Sequence, residues 1–102
     1  MPGVLYLWRR CVDRYDRPGT VFFLDPPYWQ TEGYGVPFEW PEYESLAEVL
    51  RGLKGRAILT INDHPDVRRL FSGLPLQVVP IRYTIGGGKG VARRELIYRT
   101  WN

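Results

Sequence analysis

The stretch Val21-Phe22-Phe23-Leu24-Asp25-Pro26-Pro27-Tyr28 decides the reading of this 102-residue chain. Four apolar residues in a row suit a strand in a parallel sheet, so residues 21–24 are expected to be covered on both faces. Two prolines then end the strand. Neither has a backbone N–H, and the residue before a proline is biased to extended backbone, so the carbonyls here are available to a ligand's donors. Asp25 adds a carboxylate at the strand's C-terminal end, where ligands bind in open α/β sheets. Tyr28 offers a flat face on which a purine can stack. Proline and aspartate also favour an ordinary turn leaving a strand, and the tetrapeptide alone leaves both readings open.

Working outward, Leu46, Val49, Leu50 and Leu53 fall at i, i+3, i+4 and i+7. This spacing predicts a helix from Pro41, with glutamates in its first turns, Arg51 and Lys54 late, and Gly55 as its stop. The strand 57–61 follows, and strand, helix, strand is a crossover with parallel strands. Asp63-His64-Pro65 opens a second helix with the stripe Val67, Leu70 and Phe71, closed by Gly73. Residues 76–85 and 92–101 read as two antiparallel strands, the first placed at an edge or bulge by Pro80. Their link, Gly86 to Gly90, precedes a strand and not a helix, so it fails the physical condition for a phosphate loop. Upstream, Val4, Leu5, Trp8, Cys11, Val12 and Tyr15 mark one helix face, with Arg9, Arg10 and Asp13 outward. Residues 29–41 form a loop over the sheet's C-terminal edge. The fold class is α/β, with a mixed sheet of about four strands ending in an antiparallel hairpin.

Composition bounds the function. With 44% hydrophobic and 25% charged residues, the chain is far from the disordered regime. The net charge of +3, carried mainly by arginine, weakly favours a polyanionic partner. Cys11 is the one cysteine and His64 the one histidine, which excludes a disulfide framework and leaves no metal site. His64 reads as a helix cap or a surface residue. The single cysteine points to a reduced, cytoplasmic setting; no apolar run approaches the ~20 residues of a membrane span, and the opening residues lack a cleavage pattern.

The motif in its context resembles a family. Asp25-Pro26-Pro27-Tyr28 at a strand end is followed by Phe38, the amphipathic segment through Leu53, the strand Ala57–Ile61 closing on Asn62-Asp63-His64, and Arg93-Arg94-Glu95-Leu96-Ile97-Tyr98. In that order and spacing these elements are similar to the Dam-like adenine-specific DNA methyltransferases, from about Val12 to the C-terminus. The resemblance implies the C-terminal, catalytic-motif half of a Rossmann-like fold that uses S-adenosylmethionine. Its substrate would be double-stranded DNA with the target adenine flipped out. Family members carry a glycine-rich cofactor loop and a target-reading segment ahead of this strand, and neither is found before residue 21. Residues 1–102 are therefore expected to be one partial domain, inactive alone, with weak cofactor binding. The bare edge of Val21 to Leu24 is expected to drive self-association.

The resemblance also assigns roles. Asp25 and the Pro26 carbonyl would accept the adenine amino hydrogens, with Pro27 shaping the turn, and Asp25 would also touch the cofactor. Family variants with asparagine or serine at the Asp25 position imply that a full base is unnecessary. Tyr28 and Phe38 would stack on the flipped adenine. Lys89, Arg93 and Arg94 are candidates for the DNA backbone, or else a solvated basic hairpin end. Asn62 is either part of the site or an ordinary turn residue. Trp29, Tyr34 and Trp40 would line the DNA side or fill a loop core, and Glu95 and Arg82 are expected to pair across the hairpin. Two other readings compete: a non-catalytic remnant that binds nucleic acid or a complementary fragment, and a methyltransferase acting on amino groups of cytosine or glutamine, whose motif and order fit less well.

Overall fold

The structure is a computed structural model; it describes residues 2–30, 38–83 and 91–102, and the side chains of 8–30, 38–81 and 93–102. In chain order the elements are α1 (Pro2–Tyr15), β1 (Val21–Leu24), α2 (Trp40–Gly52), β2 (Arg56–Asn62), α3 (Pro65–Leu70), β3 (Leu76–Tyr83) and β4 (Val91–Arg99). The four strands form one mixed sheet in the order β1-β2-β4-β3. β1 runs parallel to β2, with Val21 opposite Arg56, and β4 lies antiparallel to both β2 and β3. The α/β class, the parallel pair and the terminal hairpin agree with the sequence reading. Pro80 lies on the edge strand β3, where a missing N–H costs no ladder bond on the open side.

Alternation along β2 separates two faces. Ala57, Leu59 and Ile61 are buried, and with Leu96 and Tyr98 of β4 they receive Tyr43, Leu46, Ala47 and Leu50 of α2, Val67 of α3 and Phe71. Phe22 and Leu24 of β1 and Trp8 of α1 pack against this same core. The other face of β1 is open. Val21 is 50% and Phe23 77% exposed, so the expectation that residues 21–24 are covered on both faces is corrected. An apolar run does not separate a strand with two covers from one with a single cover and an uncovered side.

The helices also differ in detail. The buried stripe of α2 starts a turn earlier than expected, at Tyr43, Leu46, Ala47 and Leu50, while Val49 and Leu53 are only half-buried. Proline in its first turn suits α2, and the Glu42 amide bonds the Glu39 carbonyl at 2.9 Å. The helix ends at Gly52, not at Gly55. Gly55 serves a different need: a Cβ there would stand 2.4 Å from the Thr20 carbonyl oxygen and 2.6 Å from that of Arg17. The turn before β1 therefore docks directly on the turn before β2. Asp16 fastens it, accepting the amides of Lys54 at 3.0 Å and Gly55 at 2.8 Å. Of the stripe expected on α1, Val12 is buried and Trp8 half-buried, Cys11 and Tyr15 are exposed, contrary to the expectation, and the side chains of Val4 and Leu5 lie outside the described residues.

Candidate functional site

The turn after β1 is built by residues that lie far away in sequence. Asp25 is exposed and its Oδ1 accepts the Thr60 hydroxyl at 2.9 Å, which ties it to the neighbouring strand. Its Oδ2 has no partner among the described residues. The Pro27 carbonyl, expected to be available, accepts the Tyr43 hydroxyl at 2.5 Å, so α2 holds the turn from the core side. No described residue donates to the Pro26 carbonyl. The Tyr28 hydroxyl donates to Glu95 Oε1 at 2.6 Å, bridging the turn to β4.

Asn62 closes the arrangement. Its Oδ1 accepts the Trp29 amide at 2.8 Å and its Nδ2 donates to the Trp29 carbonyl at 2.9 Å. A side-chain amide thereby replaces the backbone partner that a further strand residue would have supplied. Of the two roles left open for Asn62, positioning of the turn is the one this geometry favours. Gln30 follows with φ 56°, a left-handed conformation uncommon for a non-glycine residue, and its Oε1 lies 3.0 Å from His64 Nε2. His64 Nδ1 accepts the Asp66 amide at 3.0 Å, so the ring proton sits on Nε2 and donates to Gln30. His64 is thus the cap of α3, as the sequence suggested.

The aromatic residues form a cluster beside the turn. Trp29 lies with its ring centroid 4.9 Å from Trp40 and 5.4 Å from Tyr43, and Phe38 meets Tyr43 edge-on at 4.7 Å. Trp29 Nε1 donates to Asp66 Oδ2 at 3.2 Å. Trp29 and Trp40 therefore take the loop-core role, and Phe38 packs against the core. Tyr34, Lys89 and Gly86 to Gly90 lie outside the described residues, as does the Arg82 side chain. The expected pairing of Glu95 with Arg82 therefore falls outside the described residues; the backbone register sets Glu95 opposite Val79 and Arg82 opposite Ala92. Glu95 takes the Tyr28 hydroxyl.

On the far side of Asn62 lies a basic groove. Asp63, with its side chain 13% exposed, binds Arg68 Nε at 2.7 Å and Arg94 Nε at 3.1 Å, and the Asp63 amide donates to the Arg94 carbonyl at 3.2 Å. The Arg68 hydrogen bond and the charges of Arg68 and Arg94 hold the Asp63 carboxyl below its ordinary range. Arg94 is thus a paired residue, while Arg93 is exposed and has no side-chain partner among the described residues. Among the described residues no cluster of histidine, cysteine and carboxylates could hold a metal, and no helix is long and apolar enough to cross a membrane. Compared with known proteins, the chain matches no family model and no curated sequence.

The local sequence showed the turn, its acceptors and the cap. It did not show Thr60, Tyr43 or Asp66, because their partners stand 35, 16 and 37 residues away.

Proposed function

We propose that this chain carries the amino-group-holding half of a DNA adenine methyltransferase. The observation that supports the reading is the acceptor pair at the end of β1. One oxygen of Asp25 and the Pro26 carbonyl are left without described donors, on a turn held from three sides by Tyr43, Glu95 and Asn62. An adenine amino group has two hydrogens and a lone pair delocalised into the ring. Accepting one hydrogen at Asp25 and the other at Pro26 favours the pyramidal nitrogen that attacks, and holds it in place. S-adenosylmethionine, when bound, supplies a methyl group on a sulfonium whose leaving group is a neutral thioether. An exposed carboxylate on the outer strand β1 fits the neighbourhood of such a cation. Asp25 is oriented by Thr60 and does not need to remove the proton before attack. Tyr28, fixed through its hydroxyl, would define the plane in which the base sits.

A second reading has an observation of its own. Phe23 is 77% exposed on a strand whose outer edge has no partner among the described residues, which suits a module that docks a complementary fragment.

The test is transfer of labelled methyl from S-adenosylmethionine to adenine in duplex DNA, with an amino-terminal half of the resembled family supplied. Asp25→Ala and Tyr28→Ala are each expected to lower the rate by about 100-fold or more, as loss of a group that stabilises a transition state does. His64→Ala is expected to leave it within about threefold, since a cap contributes to stability. Near-normal turnover by Asp25→Ala would exclude the mechanism.

A further inference from the structure

The groove beyond Asn62 has a volume of about 890 Å³ and is lined by Asn62, Asp63, Pro65, Arg68, Pro80, Ile81, Arg93 and Arg94. That is near the upper end of the roughly 300–1,000 Å³ typical of small-molecule sites. Three guanidinium groups against one carboxylate leave a local charge of +2 (three minus one). The carboxylate organises two of them. Asp63 engages Nε and one terminal nitrogen of Arg68, and Nε of Arg94, so each arginine keeps donors for another acceptor. Arg93 contributes its whole fork. The remaining walls, Pro65, Pro80 and Ile81, are apolar and carry no side-chain donor.

We propose that this groove binds one strand of a nucleic acid, the arginines taking consecutive phosphodiesters and the Pro65, Pro80 and Ile81 wall taking sugar and base surface. The choice of a nucleic acid rests on the reading above and on one contact: Asn62 lines the groove and also clamps Trp29 of the acceptor turn. A strand in the groove therefore runs directly up to the place where its own base would be held. Arg68 and Arg94 arrive pre-oriented by Asp63, which reduces the ordering cost of binding. Planar forks suit the two exposed oxygens of a phosphodiester better than they suit a point charge.

The experiment uses the full chain and a fluorescein-labelled single-stranded DNA 12-mer, followed by anisotropy over a salt series, with no cofactor present. Arg93→Glu is expected to weaken binding about tenfold or more and to lower the slope of log affinity against log salt by about one or more. Arg10→Glu, which makes the same charge change on α1 outside the groove, is expected to stay within about twofold. The assay holds no cofactor and reads strand binding alone, so loss of methyl transfer and loss of groove binding are read separately. Three results would overturn the proposal: no binding below about 100 μM at low salt, equal losses for Arg93→Glu and Arg10→Glu, or equal binding of heparin at matched charge. The last would show a general polyanion surface. Circular dichroism melts confirm that the variants fold.

Discussion

Asn62 uses both ends of its side-chain amide on a single residue, Trp29, and this makes its chemistry hard to replace. An aspartate of the same shape still accepts the Trp29 amide but has no N–H to give the Trp29 carbonyl, and its charge faces that oxygen. Asn62→Asp is therefore expected to destabilise the fold by about 1–3 kcal/mol at neutral pH, the usual cost of an unsatisfied, partly buried polar group. Urea unfolding followed by tryptophan fluorescence measures it. A loss below about 0.5 kcal/mol would mean that the turn does not depend on this clamp. Such a residue reads as an ordinary turn asparagine in one dimension, because only the fold sets Trp29 beside it. Tyr43 is similar. A tyrosine in an acidic helical turn gives no local sign that its hydroxyl meets a proline carbonyl 16 residues back.

At the scale of elements, the two turns that lead into β1 and β2 behave as one unit. The Thr20 amide bonds the Arg17 carbonyl at 2.9 Å, the Arg56 amide bonds the Thr20 carbonyl at 2.8 Å, and Gly55 lets the two backbones approach. Gly55→Ala places a methyl group against two backbone oxygens that cannot rotate away. The expected cost is about 1–3 kcal/mol, as for other overpacked sites, whereas Gly19→Ala, with open space around it, is expected to cost well under 1 kcal/mol. Thermal denaturation of the pair decides this. Much of the element layer was legible. The strands, the hairpin, the edge proline and the start of α3 follow from periodicity and from proline chemistry. The end of α2 and the face of α1 were not, because a glycine is a stop signal in sequence and a contact surface in space, and because an apolar stripe does not reveal how wide its neighbour is.

For the whole molecule, two carboxylates among the described residues link stability to pH. Asp16, through the backbone amides of Lys54 and Gly55, and Asp63, through Arg68, titrate below the ordinary 3.8 when folded. The unfolded chain therefore binds protons first. Their contribution is full above 3.8 and is lost as the pH falls through the lowered folded values. The urea midpoint is expected to drop as the pH passes below 4, and Asp63→Asn is expected to start lower at pH 7 and fall less steeply; parallel curves would refute the assignment. Charge also leaves one edge unguarded. β1 carries no charged residue or proline between Val21 and Leu24, and its outer side has no strand partner among the described residues. Size-exclusion chromatography with light scattering is expected to show dimers at tens of micromolar, by roughly the association such edges support, and Phe23→Lys to return monomers. A parent chain that stays monomeric would show that this edge is closed in solution.

The contacts that hold the acceptor turn all reach across the chain, spanning 16, 33, 35 and 67 residues. None of them is available to a peptide containing residues 21–30 alone. Loop-closure entropy must be overcome before any of these bonds forms, so the turn acquires its geometry only when the sheet and α2 are already assembled. The site is in this sense a report on global cooperativity: a partly folded chain does not carry a weaker version of it.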